Sequence, residues 1–227
     1  MFDKIKFYKH YDMQKQLTLT ILTPYLAPDR PLLKDIFPFE HNGRNWHVAS
    51  NPHSIIMIAQ YAENRLPPPD HAFPNLLAII PAFNCQLQIR IEDLNETYFS
   101  IPLVNQEVTY ECETCNGDGT FTHDGFDYDC KTCNETGKIK TGRLEKAKDP
   151  AKDILINGIP IDSKHVYMML NVIKQAGVSS VTLRHSSENK PLLFELDDTI
   201  MILIAQKHYN DENPRKETVA VKIHGIN

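Results

Sequence analysis

The chain has 227 residues, 41% of them hydrophobic and 23% charged, and a formal net charge of -5. This is a globular profile, long enough for one large or two small domains. Mild acidity argues against coating nucleic acid by bulk charge, although it leaves room for a local basic surface.

No apolar run reaches the roughly 18 residues of a membrane span. The opening MFDKIKFYKH lacks the apolar stretch of a secretory signal, so the expected location is cytoplasmic. KIKFYKH (4–10) reads as a strand. DMQKQLTLTILTPYLA (12–27) reads as a helix, capped by Asp12, with Leu17, Ile21 and Leu22 at helical spacing and an end near Pro24. PLLKDIFPFE (31–40) and WHVASNPHSIIMIA (46–59) read as strands on either side of the hairpin signal His41-Asn42-Gly43. LPPPD (66–70) is a loop or linker, and CQLQIRIEDL (85–94) and TYFSIPLV (97–104) are two further strands.

An insert follows, over residues 108–142. Cys112, Cys115, Cys130 and Cys133 have the spacing C-x2-C-x14-C-x2-C. Zinc takes four thiolates in a tetrahedron, and each C-x-x-C turn supplies two. Gly117, Gly119 and Gly137 let the backbone curl toward the sulfurs. A thioredoxin-like redox motif would need one C-x-x-C at a strand–helix junction, not two flanked by glycines. NGDGTFTHDGFDYD (116–129) is too polar to build a core, but it can pair Thr120–Thr122 with Phe126–Tyr128 in a short hairpin. Zinc would then supply about 10 kcal/mol of folding energy. A site closed by four thiolates has no open position for water, so the reading is a structural, zinc-ribbon-like insert. His123 reads as a loop residue, and the fifth cysteine, Cys85, as a small buried apolar residue.

The first knot, C-x-x-C-x-G-x-G, makes the insert resemble half of the cysteine-rich zinc domain of J-domain co-chaperones. The second knot has Glu135 where the first glycine would fall. The chain has no His-Pro-Asp tripeptide, so co-chaperone function is not carried over.

Downstream, DILINGIPID (153–162) reads as a strand, and Asp162 or Ser163 caps a helix over 163–176. Val166, Met169, Leu170 and Ile173 form its apolar stripe, and Gly177 stops it. SSVTLRH (179–185) alternates with Val181 and Leu183 inward. After a turn at 186–191, PLLFEL and TIMILIAQKH make two strands, 209–217 a polar turn, and TVAVKIHG (218–225) a last strand. The expected fold is a single α+β domain of two strand–helix–strand–strand units, 1–107 and 143–227, whose helices share a face.

Residues 156–205, INGIPIDSKHVYMMLNVIKQAGVSSVTLRHSSENKPLLFELDDTIMILIA, are similar to the closing segment of the bacterial DNA sliding clamp, the polymerase β-subunit. Val166, Leu170 and Ile173 fall on that family's helix core positions, and Pro191-Leu192-Leu193-Phe194 on its "P-v-l-i" strand. Upstream, Arg30-Pro31 and Ala49-Ser50-Asn51 sit where the family has Arg-Pro and Ala-Thr-Asp. FPNLLAIIP (73–81) resembles the family's linker segment.

The resemblance implies a non-enzymatic accessory protein of DNA replication or DNA processing. Its partners would be double-stranded DNA and replication proteins, and its copies would assemble as a homo-oligomer. A bacterial clamp subunit has three such domains, and this chain reads as one. Clamp helices line the DNA hole with lysine and arginine; here Lys15, Lys164 and Lys174 are the candidate nucleic-acid contacts on faces that are barely basic. The zinc insert would contact a protein or nucleic acid. The alternative is a zinc-dependent protein–protein interaction module without DNA contact. No G-x-S-x-G, phosphate loop or H-E-x-x-H points to catalysis.

Overall fold

The computed structural model describes residues 18–59, 80, 85–185, 190–207 and 217–221. The chain divides into two compact units, residues 101–149 and the remainder, 1–100 with 150–227. The expected strand at 4–10 and the start of the helix at 12–27 lie outside the described residues. The described end of that helix, α1 (18–22), closes in a 3-10 turn over Thr23–Tyr25 with Pro24 near its start. It buries Ile21, Leu22 and Tyr25, and its turn packs on the two strands that follow the first hairpin turn.

Three strands come next: β1 (Phe37–His41), β2 (Arg44–Ser50) and β3 (Ser54–Ala59). The turn between β1 and β2 is at Asn42-Gly43, both at positive φ, as the hairpin signal predicts. Residues 46–59 are not one strand. The Asn51 carboxamide accepts from the amides of His53 and Ser54 at 2.9 Å, and this Asx turn folds the run back on itself. The strand expected from residue 31 begins only at Phe37.

The largest departure is at 85–104. β4 (Cys85–Arg90) is a strand, but Ile91–Ser100 is a helix, α2. Ile91, Leu94 and Tyr98 recur at i, i+3 and i+7 and are buried. Glu92 and Asp93 stand in its first turn, where the helix dipole favours negative charge, and Asp93 Oδ1 accepts from Arg90 Nη2 at 2.7 Å. The strand read at 97–104 is thus the last turn of this helix followed by a new strand from Leu103.

The downstream half opens with β9 (Lys152–Ile156) and β10 (Ile159–Asp162). They are two strands, not one, because Asn157 and Gly158 take positive φ and close a second Asn-Gly hairpin. α3 (Ser163–Ala176) follows as expected. The Asp162 side chain caps it by accepting from the Lys164 amide, and Gly177, at φ 70, returns its amide to Ile173. β11 (Ser180–His185), β12 (Leu192–Glu195) and β13 (Ile200–Ile204) follow, and β14 (Glu217–Ala220) runs parallel to β9.

The main sheet has the order β1-β2-β3-β13-β12-β11-β4, antiparallel throughout. β3 and β13 are its central pair, with Ile56 opposite Ile202 and Met57 opposite Met201. β3 is buried at every position, so it reads as a continuous apolar run instead of an alternation. One core cluster gathers Trp46, Val48, Ile55, Met57, Leu193 and Leu203, with Ile80 packed against it. The helices that pack together are α2 and α3, with the rings of Tyr98 and Tyr167 stacked at 5.3 Å. The sequence predicts helices 12–27 and 163–176 sharing a face; among the described residues the helix that packs on α3 is α2. No described helix is long and apolar enough to cross a membrane.

Candidate metal centre

The unit 101–149 is a long antiparallel ladder carrying two cysteine turns. Its stem is β5 (Leu103–Glu111) with β8 (Lys138–Lys148), a strand that local pattern did not suggest. Between them lies the small hairpin of β6 (Thr120–His123) and β7 (Phe126–Asp129); the hairpin forms where expected, but each strand is one residue longer and Thr120 pairs with Asp129 instead of Tyr128. Most stem residues are exposed, and the only cluster of buried residues in this unit is the four cysteines with Ile139 against them, among the described residues. A two-stranded ladder is marginal in water, so something besides apolar burial must hold the head together.

The four sulfurs lie within 4.8 Å of one another. Cys112 Sγ is 3.7 Å from Cys130 Sγ, and Cys115 Sγ is 3.7 Å from Cys133 Sγ. Four sulfurs each about 2.3 Å from one tetrahedral ion are about 3.8 Å apart. A disulfide would hold its pair at about 2.05 Å. The arrangement fits a tetrahedral thiolate site and not two cross-links.

The two turns are near copies, offset by 18 residues. The Gly117 amide donates to the Cys112 carbonyl at 3.1 Å, and the Glu135 amide to the Cys130 carbonyl at 3.0 Å. They also clasp each other: Cys112 N–H donates to the Gly137 carbonyl, and Cys130 N–H to the Gly119 carbonyl, both at 2.8 Å. Asn116 and Asn134 both have φ 51. Glu135, the departure from the glycine pattern, takes φ 65, the left-handed conformation that Gly117 adopts at φ 86. The second knot therefore keeps the turn geometry without the glycine, at the cost of backbone strain.

Burial pushes the Cys115 thiol up to about 11, against the Gly119 amide, which donates to its sulfur at 3.2 Å. Burial also pushes Cys130 up, but donation from the Cys133 amide and the surrounding thiols outweighs it and brings that thiol down to about 7. A dication binding here would displace the remaining protons, so affinity rises with pH. Soft thiolate sets of this shape select zinc or iron. His123 is paired with Asp124 and exposed, outside the cluster.

Of the other candidates, Lys15 lies outside the described residues. Lys164 and Lys174 are both exposed on α3. They share the helix layer with exposed Glu92 and Glu96 of α2, which the strand reading of 85–104 had hidden. Cys85 opens β4.

No protein-family model and no curated protein matches the sequence. Solved structures do. The DNA polymerase sliding clamp from Bacillus subtilis aligns with a TM-score of 0.51 at 11% identity, over 88% of this chain and 63% of that one. The fold is sliding-clamp-like. The polymerase III β subunit from Thermotoga maritima aligns with a TM-score of 0.51 at 12% identity, over 88% of this chain and 64% of that one. The β subunit from Pseudomonas aeruginosa gives 0.52 at 11%, over 86% and 64%. The clamp-like chain thus spans less than two thirds of the length of these clamps.

Proposed function

We propose that this protein is a non-catalytic accessory of DNA replication or processing, built on a clamp-like scaffold, whose zinc-closed arm captures a protein partner. The clamp-like fold supports the replication setting, and the closed four-sulfur cluster supports a structural zinc. The observation that carries the choice of a protein partner is the charge of the helix layer. Its exposed acids, Glu92 and Glu96, offset its exposed lysines, Lys164 and Lys174. Phosphate binding by counterion release needs a net cationic face.

The scaffold is read as one full clamp domain plus half of another. The linker-like 73–81 falls between β3 and β4, α2 and α3 form the helix pair after it, and α1 with β1–β3 precedes it.

The arm can be removed cleanly. Pro102 and Asp149 are hydrogen-bonded neighbours at the foot of the ladder, the Asp149 amide donating at 3.0 Å. Replacing 103–148 with an Asn-Gly turn should leave the scaffold folded and abolish partner capture. Capture that survives this deletion would refute the arm as the docking element. The second reading, DNA contact through Lys15, Lys164 and Lys174, rests on the clamp-like fold. It expects salt-dependent binding of duplex DNA that a Lys164→Glu/Lys174→Glu variant loses. The protein-docking reading expects no such binding in either protein.

A further inference from the structure

We infer that the β6–β7 hairpin is a docking face for an extended, arginine- or lysine-rich segment of another protein. This deepens the proposed function and rests on the arm being the docking element. The hairpin register sets Phe121 opposite Tyr128 and His123 opposite Phe126. Directly opposed residues share a face, and so do residues two apart on a strand. All four rings therefore lie on one side, and Thr120, Thr122, Asp127 and Asp129 lie on the other. Phe121 and Tyr128 stack at 5.9 Å.

None of these rings helps to build the metal head, whose buried cluster is the four cysteines. All are open to solvent: Phe121 is 40% exposed, Phe126 68%, Tyr128 48%, and the His123 side chain 71%. The Phe121–Tyr128 stack is worth about 0.2–1 kcal/mol to the hairpin, but it leaves all four side chains open to solvent. Aromatic anchors of this kind, rigid and amphipathic, are what protein interfaces bury at their centres. β6 and β7 pair only with each other among the described strands, so their outer edges are available to an added strand.

Charge decides the occupant. From Glu111 through Gly137, inclusive, the chain carries seven carboxylates and one lysine. Four thiolates around a dication add a net charge of about -2. Single-stranded nucleic acid would find rings to stack on, but every phosphate would meet this negative field. A cationic segment is attracted from a distance. It can lay guanidinium or ammonium groups over the rings while the acidic rim pairs with its remaining cations. Alternate residues of an added strand would face the rings, which suits a segment that alternates basic and apolar residues.

The test uses the metal-loaded full chain and three labelled probes followed by fluorescence anisotropy. They are a short peptide of alternating arginine and valine, its glutamate counterpart, and oligothymidine. The expected result is saturable binding of the arginine peptide alone. A Phe126→Ser/Tyr128→Ser variant keeps every charge and the four cysteines. It should retain its metal and bind the arginine peptide about tenfold more weakly. Unchanged affinity in that variant, with affinity lost on deleting 103–148, would overturn the aromatic face and leave the arm as the docking element. Affinity that survives the deletion would overturn both. Oligothymidine binding as tight as that of the arginine peptide would replace the protein segment with nucleic acid.

Discussion

The ammonium of Lys207 lies 2.6 Å from Oδ1 of Asp153, a carboxylate 1% exposed on β9. The same ammonium reaches Asp162, the α3 cap, at 3.1 Å, and the Lys207 amide donates to the Pro160 carbonyl at 3.0 Å. One side chain thus ties the segment after β13 to β9 and to the start of the helix. Removing Lys207 takes the ammonium donor from the buried Asp153 carboxylate, which costs about 1–3 kcal/mol. Lys207→Met should lower the unfolding free energy by that order in a urea titration. The double change with Asp153→Asn should recover much of the loss. A single variant as stable as the parent would show that the pair is solvated.

His165 sets an acid limit. Burial pushes it down to about 4; Asp162 opposes this, and His53, Lys164 and Lys207 add to it. Its Nδ1 has no hydrogen-bond partner among the described residues, and its ring lies 5.6 Å from that of His53. The unfolded chain, with an ordinary value near 6.5, takes up the proton first. Stability is therefore complete above about pH 6.5 and declines as the pH falls toward about 4, by on the order of 1–2 kcal/mol once solvent screening is allowed for. His165→Gln should remove that part of the slope. Parallel pH profiles for the two proteins would contradict this.

The clasp between the cysteine turns depends on two glycines. A Cβ at Gly119 would run into the Glu135 carbonyl, and one at Gly137 into the Gly117 carbonyl. Both also sit at positive φ, 79 and 70. Gly119→Ala and Gly137→Ala should each cost at least the roughly 1–2 kcal/mol of a left-handed alanine, plus the clash. Chelator competition would read this as metal lost at lower chelator concentration. Gly142, also at positive φ, has nothing near its absent Cβ, so Gly142→Ala should fall well short of that effect.

Metal removal should dismantle one unit and spare the other. Mass spectrometry of the native protein should find one metal ion per chain, and a colourless sample would favour zinc over iron. Cys112→Ser, or excess chelator, should release it and expose the amides of 103–148 to rapid hydrogen exchange. The amides of β3 and β13 should stay protected, because they belong to the unit with its own core. Simultaneous loss of protection in both would show that the metal holds the whole chain.

How much of this was legible varied with the range of the cause. α3 was read to the residue because cap, stripe and stop lie within one short stretch: Asp162, Val166 to Ile173, Gly177. The cysteine spacing likewise implied a four-sulfur cluster. α2 was missed because Leu87, Ile89 and Ile91 continue one alternation into the helix, whose own period shows only once Leu94 and Tyr98 are counted. The Asn-Gly turn at 157–158 carried a readable signal that the apolar run around it masked. β8 was missed for another reason: Lys138–Lys148 is polar on both faces and is a strand only because β5 pairs with it.

The sequence by itself determined the paired cysteine turns, the capped helix and the hairpin turns, since each depends on neighbours a few residues apart. The tertiary structure decided that α2 pairs with α3, that β3 meets β13 across more than half the chain, and that exposed lysines of one helix share a layer with exposed glutamates of another. It also set the registers of the arm's hairpins, which gather the exposed rings on one face. Those outcomes follow from pairing and packing between distant segments, where no local pattern carries the information and only the closed fold selects the partner.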